Sequence, residues 1–216
     1  MKKLIIASFA LILGSFTSAS AELGVNIGIS GHSGLYYADA KETIETNPKD
    51  REDAVAVMGY TSIFIEKTLG SRFKIGYDYV PDSFSTDTAE DSKTDKLTSG
   101  TVNVTNSVKV DFEDMTTYYA AFNVTENLYV KYGEVSVDLI TKESLGTGGS
   151  YGNSTIDGTV FSVGYNRTSD NGFFWRAEAG RQDFDSVTLS DSTNTKEIKA
   201  TDISGVVGTL SIGKAF

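Results

Sequence analysis

Beyond residue 22 no stretch of 11 residues keeps a 3.6-residue apolar period. What recurs is alternation of apolar and polar positions, the period of a strand with two unlike faces. In the first run Leu23, Val25, Ile27, Ile29, Leu35 and Tyr37 share one side, with Gly24, Asn26, Gly28, Ser30, His32 and Gly34 on the other. A second run sets Val55, Val57, Ile63 and Ile65 against Met58, Tyr60 and Phe64, and a third sets Phe73, Ile75, Tyr77 and Tyr79 against Arg72, Lys74, Gly76 and Asp78. The fourth keeps one parity from Val102 through Phe112, Tyr118 and Phe122 to Val124, which predicts a long strand lying half beyond the sheet. The fifth begins with Leu128, Val130 and Tyr132 and continues with Val135, Val137 and Leu139. That change of parity predicts a β-bulge at Gly133-Glu134, which would keep Glu134 off the outer face. Phe161, Val163 and Tyr165 mark the sixth run, Phe173, Trp175, Ala177 and Ala179 the seventh, and Val206, Gly208, Leu210, Ile212 and Phe216 the eighth.

The connectors alternate as well. Short ones at 67–71, 125–127 and 168–172 take turns with long ones near 38–54, 81–101, 138–157 and 185–202. In an up-and-down barrel every second connector lies at the same end, so all the short turns share one side. Tight turns at one end and long loops at the other are the pattern of an outer-membrane barrel. The fold class expected is therefore all-β, an eight-stranded antiparallel up-and-down transmembrane barrel with short periplasmic turns and long extracellular loops.

A soluble barrel would also alternate, but with its apolar side inward. The polar parity here carries Glu66, Arg72, Lys74, Asp78, Lys131, Glu134, Arg176 and Glu178, four charges of each sign, interleaved with small residues. Eight strands enclose only enough space for side chains, and opposite charges can neutralise one another there. The eight residues are expected to form a lumen charge network. Tyr77, Tyr79, Phe122, Tyr132, Tyr165, Phe173 and Trp175 fall near strand ends, where they would form interfacial girdles.

The amino terminus reinforces export. Lys2 and Lys3, the apolar run Leu4–Leu13 and the small residues Ala19-Ser20-Ala21 read as a signal peptide over 1–21, leaving a barrel domain over 22–216. Losing Lys2 and Lys3 takes the formal charge from −10 to −12. So acidic a chain repels nucleic acid, which binds through phosphate neutralisation. Cysteine is absent, so neither disulfides nor thiolate chemistry are available. The long connectors hold 18 acidic and 8 basic residues, and the first two are polar and poor in aromatics, a composition that predicts mobility for acidic extensions at the surface.

The last nine residues, "GTLSIGKAF", alternate apolar positions and end on Phe216. In this the chain resembles the small bacterial outer-membrane barrels of the OmpA membrane-domain and OmpX type. The resemblance covers the mature chain by pattern and implies that Leu210, Ile212 and Phe216 form an end motif read by the barrel-assembly machinery. It departs at Lys214, where an apolar or aromatic residue would be favoured; the lysine stem can lie in lipid while its ammonium reaches water. Lys67 can do the same, and Arg181 can do so or pair with a lipid phosphate.

His32, the single histidine, sits in "GHSG" beside Ser33. Neighbours on a strand point to opposite faces, so His32 would need Ser30 or Asp78 to build any nucleophile–base pair. Metal ligation has too few His and Cys, and no cofactor is expected. The expected function is a structural and surface-interaction role in the outer membrane, among lipid and lipopolysaccharide, with no open general pore. Two alternatives stand beside it: a narrow channel for small or hydrophobic solutes, and a lipid-modifying enzyme. The sequence does not identify a surface partner.

Overall fold

A computed structural model of the chain describes residues 24–44, 47–97, 100–145, 149–192 and 196–216. The leader expected over 1–21 lies outside the described residues. Among the described residues eleven strands occur in order: β1 (Val25–Ile44), β2 (Asn47–Leu69), β3 (Phe73–Tyr79), β4 (Phe84–Ser85), β5 (Ala89–Leu97), β6 (Gly100–Asn123), β7 (Leu128–Ser144), β8 (Ser154–Thr168), β9 (Phe173–Phe184), β10 (Val187–Ser190) and β11 (Lys196–Ala215). Eight of them, β1-β2-β3-β6-β7-β8-β9-β11, form an antiparallel ring closed by β1 against β11. The other three extend it beyond one end: β4 and β5 pair with β6, and β10 pairs with β11.

Alternation decides which face each residue takes. Ile29, Leu35, Val57, Phe73, Ile75, Tyr132, Phe161, Val163, Trp175, Leu210 and Ile212 are exposed on the outer wall, while their neighbours Ser30, Glu66, Lys74, Ser162, Arg176 and Ser211 are buried inside. Paired rings brace the wall near its ends, with Phe73 and Phe122 4.9 Å apart, Tyr77 and Tyr118 4.9 Å, and Tyr165 and Trp175 5.5 Å.

The three short turns sit together at the end opposite the extensions. Thr125 caps one by accepting the amide of Leu128 at 3.0 Å, a Thr-type turn. Another turn needs Gly172, whose φ is 84° and whose Cβ position lies 2.6 Å from the Ala215 carbonyl oxygen, so any side chain there would collide with β11. The carboxy terminus is tied down, since the Phe216 amide donates to the Val25 carbonyl at 2.8 Å.

Most of the long acidic segments continue the wall strands as β-hairpins, because backbone pairing satisfies their polar groups without an apolar face. Three expectations need correction: the bulge in the fifth run, the face of Glu134 and the single parity of the fourth run. No bulge occurs at Gly133-Glu134, where the β6–β7 register runs unbroken. Glu134 is exposed on the outside above Tyr132, and Val135, Val137 and Leu139 point inward and are buried. The bulge lies instead on β6, between Glu113 and Thr116, with Asp114 at φ 51°. It reverses the faces, so Val110 and Phe112 pack on the inner core while Tyr118 faces out. A second register shift faces Asp202, φ 52°, on β11. Aspartate tolerates this left-handed conformation better than most residues, so neither bulge required glycine.

Above the first bulge, β4 is pinned by Asp111, which is 3 % exposed. Its carboxylate accepts from Ser85 Oγ at 2.7 Å and from the Lys142 ammonium. The Lys142 hydrogen bond first, and the Ser85 bond second, hold the Asp111 carboxyl down at about 2. A depressed carboxyl stabilises the fold above its ordinary pKa and loses that contribution as pH falls through the folded value. The contact is therefore complete above about pH 4 and lost towards pH 2. Asp111→Asn is expected to lower amide protection of Thr86, which bonds the Val110 carbonyl, several-fold at neutral pH. The variant and the parent should converge near pH 2. Equal protection at neutral pH would remove Asp111 from this role.

Candidate functional site: a layered barrel interior

Nearest the short turns, Glu66 and Arg176 are 2 % and 4 % exposed by side chain and form a bidentate pair at 2.6 and 2.5 Å. Glu66 also accepts from Asn26 at 3.0 Å and from the Tyr119 hydroxyl at 3.0 Å. Arg176 lies between the Phe64 and Phe174 rings, 5.3 and 4.5 Å from their centroids, and bonds Asn166 at 3.1 Å. Both ions are thus fully partnered, the condition under which a buried pair is tolerated. Beside them Glu178 pairs with Lys131 and accepts from Tyr129 at 2.6 Å and Ser162 at 3.0 Å. The two tyrosines reach these carboxylates because their rings lie over Gly76 and Gly164; a Cβ there would come within 2.3 and 2.4 Å of the rings.

Six of the eight charges expected in the lumen are brought together: Glu66, Lys74, Asp78, Lys131, Arg176 and Glu178. Arg72 and Glu134 are not. Arg72 sits exposed in the turn between β2 and β3, where its carbonyl accepts the Asn123 amide at 2.8 Å; the strand parity does not continue through the turn. Glu134 is outside for want of the expected bulge. The loss of one charge of each sign leaves three against three.

Above this layer His32 joins a polar relay. Ser62 Oγ donates to Asp78 at 2.9 Å, so His32 Nε2, 2.9 Å from the same oxygen, acts as donor to it. Its Nδ1 then accepts from Thr209 at 3.0 Å. In this tautomer, assigned from the network, His32 cannot be a base towards Ser62. Ser30 bonds Ser211 at 2.8 Å instead. The partners of His32 come from across the ladder, which sequence spacing did not reveal.

A third layer closes the polar half. Tyr36 donates to Gln182 at 2.7 Å, Gln182 Nε2 donates to the Tyr60 hydroxyl at 3.3 Å, and the two hydroxyls lie 3.3 Å apart. Beyond it the interior is apolar, built on Met58, Met115, Val135, Val137, Ile156 and Val207. It holds a chamber of about 130 Å³ edged by Tyr36, Ala56, Met58, Phe84, Phe112 and Phe184. Its signal in the sequence was Met58 on the otherwise polar parity; Tyr60 belongs to the layer below and Phe64 packs against Arg176.

The wall is interrupted beside this chamber. β2 pairs with β3 only from Ile63 to Leu69, and among the described residues Asn47–Ser62 pair with β1 alone. The Val80 amide turns to Met115 at 2.9 Å, Pro81 has no amide to offer β2, and the following segment runs along β6. Phe84 fills the seam. It stacks on Tyr60 at 4.7 Å and on Phe112 at 5.1 Å, and Tyr60 stacks on His32 at 4.5 Å. A four-ring column therefore crosses from the lumen to β6.

Leu210 and Ile212, expected in the end motif, face outward, and Lys214 lies over Phe173 and Phe216 at 5.2 and 5.4 Å. Lys214 faces outward by parity, at the rim. Arg181 is held by Asp183 at 2.6 Å.

No protein-family model and no curated protein matches the sequence. The solved structures do. The outer-membrane protein OprG from Pseudomonas aeruginosa aligns over 90 % of this chain and 97 % of its own, with a TM-score of 0.56 and 9 % identity. Ail of Yersinia pestis aligns over 88 % and 99 %, with a TM-score of 0.42 and 10 % identity. Neisserial surface protein A aligns over 86 % and 97 %, with a TM-score of 0.40 and 11 % identity. With OprG as the likeness that carries weight, the chain has the fold of a small bacterial outer-membrane β-barrel.

Proposed function

We propose that this barrel takes up a small apolar molecule in the outer half of its interior and presents acidic hairpins at the cell surface, without opening an aqueous pore. The observation that carries this reading is the 130 Å³ apolar chamber, set above an ion-filled layer and beside an interrupted wall. Its size is close to that of an engineered apolar cavity of about 150 Å³ that stays dry and binds benzene or xenon. Arg176, Glu66, Lys131 and Glu178 block the other half, so a solute in the chamber would leave sideways past Phe84 rather than through the barrel. The surface part rests on the β1–β2 and β5–β6 hairpins, which continue the wall outward with a net negative charge.

Benzene at about 100 times its dissociation constant should stabilise the detergent-extracted protein by about 2.7 kcal/mol. Ala56→Phe, which fills the chamber, should abolish that gain while keeping the heat-dependent gel shift of a folded barrel. No stabilisation of the parent protein would contradict chamber binding. Planar bilayers should stay silent; discrete conductance steps would show a transverse pore instead.

A further inference from the structure

We infer that the rim formed by β8, β9 and β11 at the short-turn end binds an anionic glycerophospholipid, its phosphate held by Arg167 and Lys214. Parity places both cations on the outer wall. Arg167 stands opposite Trp175, Trp175 opposite Ile212, and Lys214 opposite Phe173. β8 and β11 are two strand spacings apart, about 10 Å, which two long side chains can bridge. The chain carries a formal charge of −10, yet among the described residues neither Arg167 nor Lys214 has a carboxylate within ion-pair distance. Lys214 rests on the Phe173 and Phe216 rings.

Arg167 and Lys214 edge one end of an apolar groove of about 900 Å³ on the outer wall, floored by Ile29, Phe173, Trp175 and Ile212. The arrangement matches an amphiphile, with phosphate at the cationic end and an acyl chain along the floor. The short-turn end of such a barrel faces the periplasm, whose leaflet supplies glycerophospholipid rather than lipopolysaccharide. Charge complementarity selects an anionic headgroup over a zwitterionic one. This proposal requires membrane embedding but not a ligand in the apolar chamber.

Trp175, the one tryptophan in the chain, lies in the groove and reports on it. The protein is reconstituted into phosphatidylcholine vesicles carrying a minor fraction of lipid brominated on its acyl chain, as either phosphatidylglycerol or phosphatidylcholine. Quenching by both shows embedding alone. The site predicts an apparent local enrichment of brominated phosphatidylglycerol of at least roughly fivefold, the factor one cation near an anionic surface supplies. Arg167→Gln with Lys214→Gln should bring the two lipids level. If the double variant does not assemble, Arg167→Gln alone, outside the end motif, is read the same way and should reduce the preference. Equal quenching by the two lipids in the parent protein, or a preference that survives the substitutions, would overturn the proposal.

Discussion

Arg176→Ala is expected to cost about 3–5 kcal/mol of unfolding free energy, the usual penalty for leaving one member of a buried ion pair without its partner. Glu66 would keep Asn26 and Tyr119 as donors, but its charge would stay 2 % exposed with no cation bonded to it. The two aromatic faces that sandwich the guanidinium would face a void as well. Urea unfolding in a defined lipid or detergent, followed by gel migration, measures the loss. Replacing both partners by apolar residues, as in Glu66→Leu with Arg176→Met, should cost much less, because no uncompensated charge remains. Should the single and double variants be equally destabilised, packing rather than charge pairing would be what Arg176 contributes.

Val163→Arg tests the opposite face. Val163 is 49 % exposed on the outer wall, pairing with Val130 on β7 and Ala179 on β9, near the middle of the span. An arginine facing hydrocarbon there costs about 2–4 kcal/mol, falling towards zero near the interfaces. The same unfolding experiment reads it, and a cost that grows in thicker bilayers would identify lipid as its source. A neutral substitution would mean that Val163 touches water.

The wall was legible wherever a single rule governed it. Ile29, Phe161, Val163, Trp175, Leu210 and Ile212 were assigned outward by parity alone, and they are exposed. Their strands contain no register shift between those positions and the short turns. Sorting of short and long connectors gave the ring and its two unlike ends. Parity fails past any point that resets it. The turn between β2 and β3 separates Arg72 from the β3 run, and the Asp114 bulge separates Phe112 from Tyr118. An aspartate with positive φ leaves no mark in the sequence that distinguishes it from a surface aspartate.

Val135, Val137 and Leu139 misled for a different reason. The assumption that every inward position is polar forced a bulge at Gly133-Glu134, when the interior itself changes character from ionic to apolar above the Tyr36–Gln182–Tyr60 layer. A lumen of two kinds cannot be read from one strand. It emerges when Met58 on β2, Met115 on β6, Val137 on β7 and Val207 on β11 are brought to one height by the register. Of the His32 relay the sequence pointed to Asp78 alone; Ser62 and Thr209, 30 and 177 positions away, are brought in by the register.

Single-cysteine spin labels along β8 test side-chain orientation directly, because the chain has no cysteine of its own. Labels at positions 160, 161, 162 and 163 of the reconstituted protein should alternate in collision rate with oxygen. High rates are predicted at 161 and 163, and low rates at 160 and 162, where the native residues are buried. Alternation of the opposite phase, or none, would mean that hydrocarbon does not surround this wall.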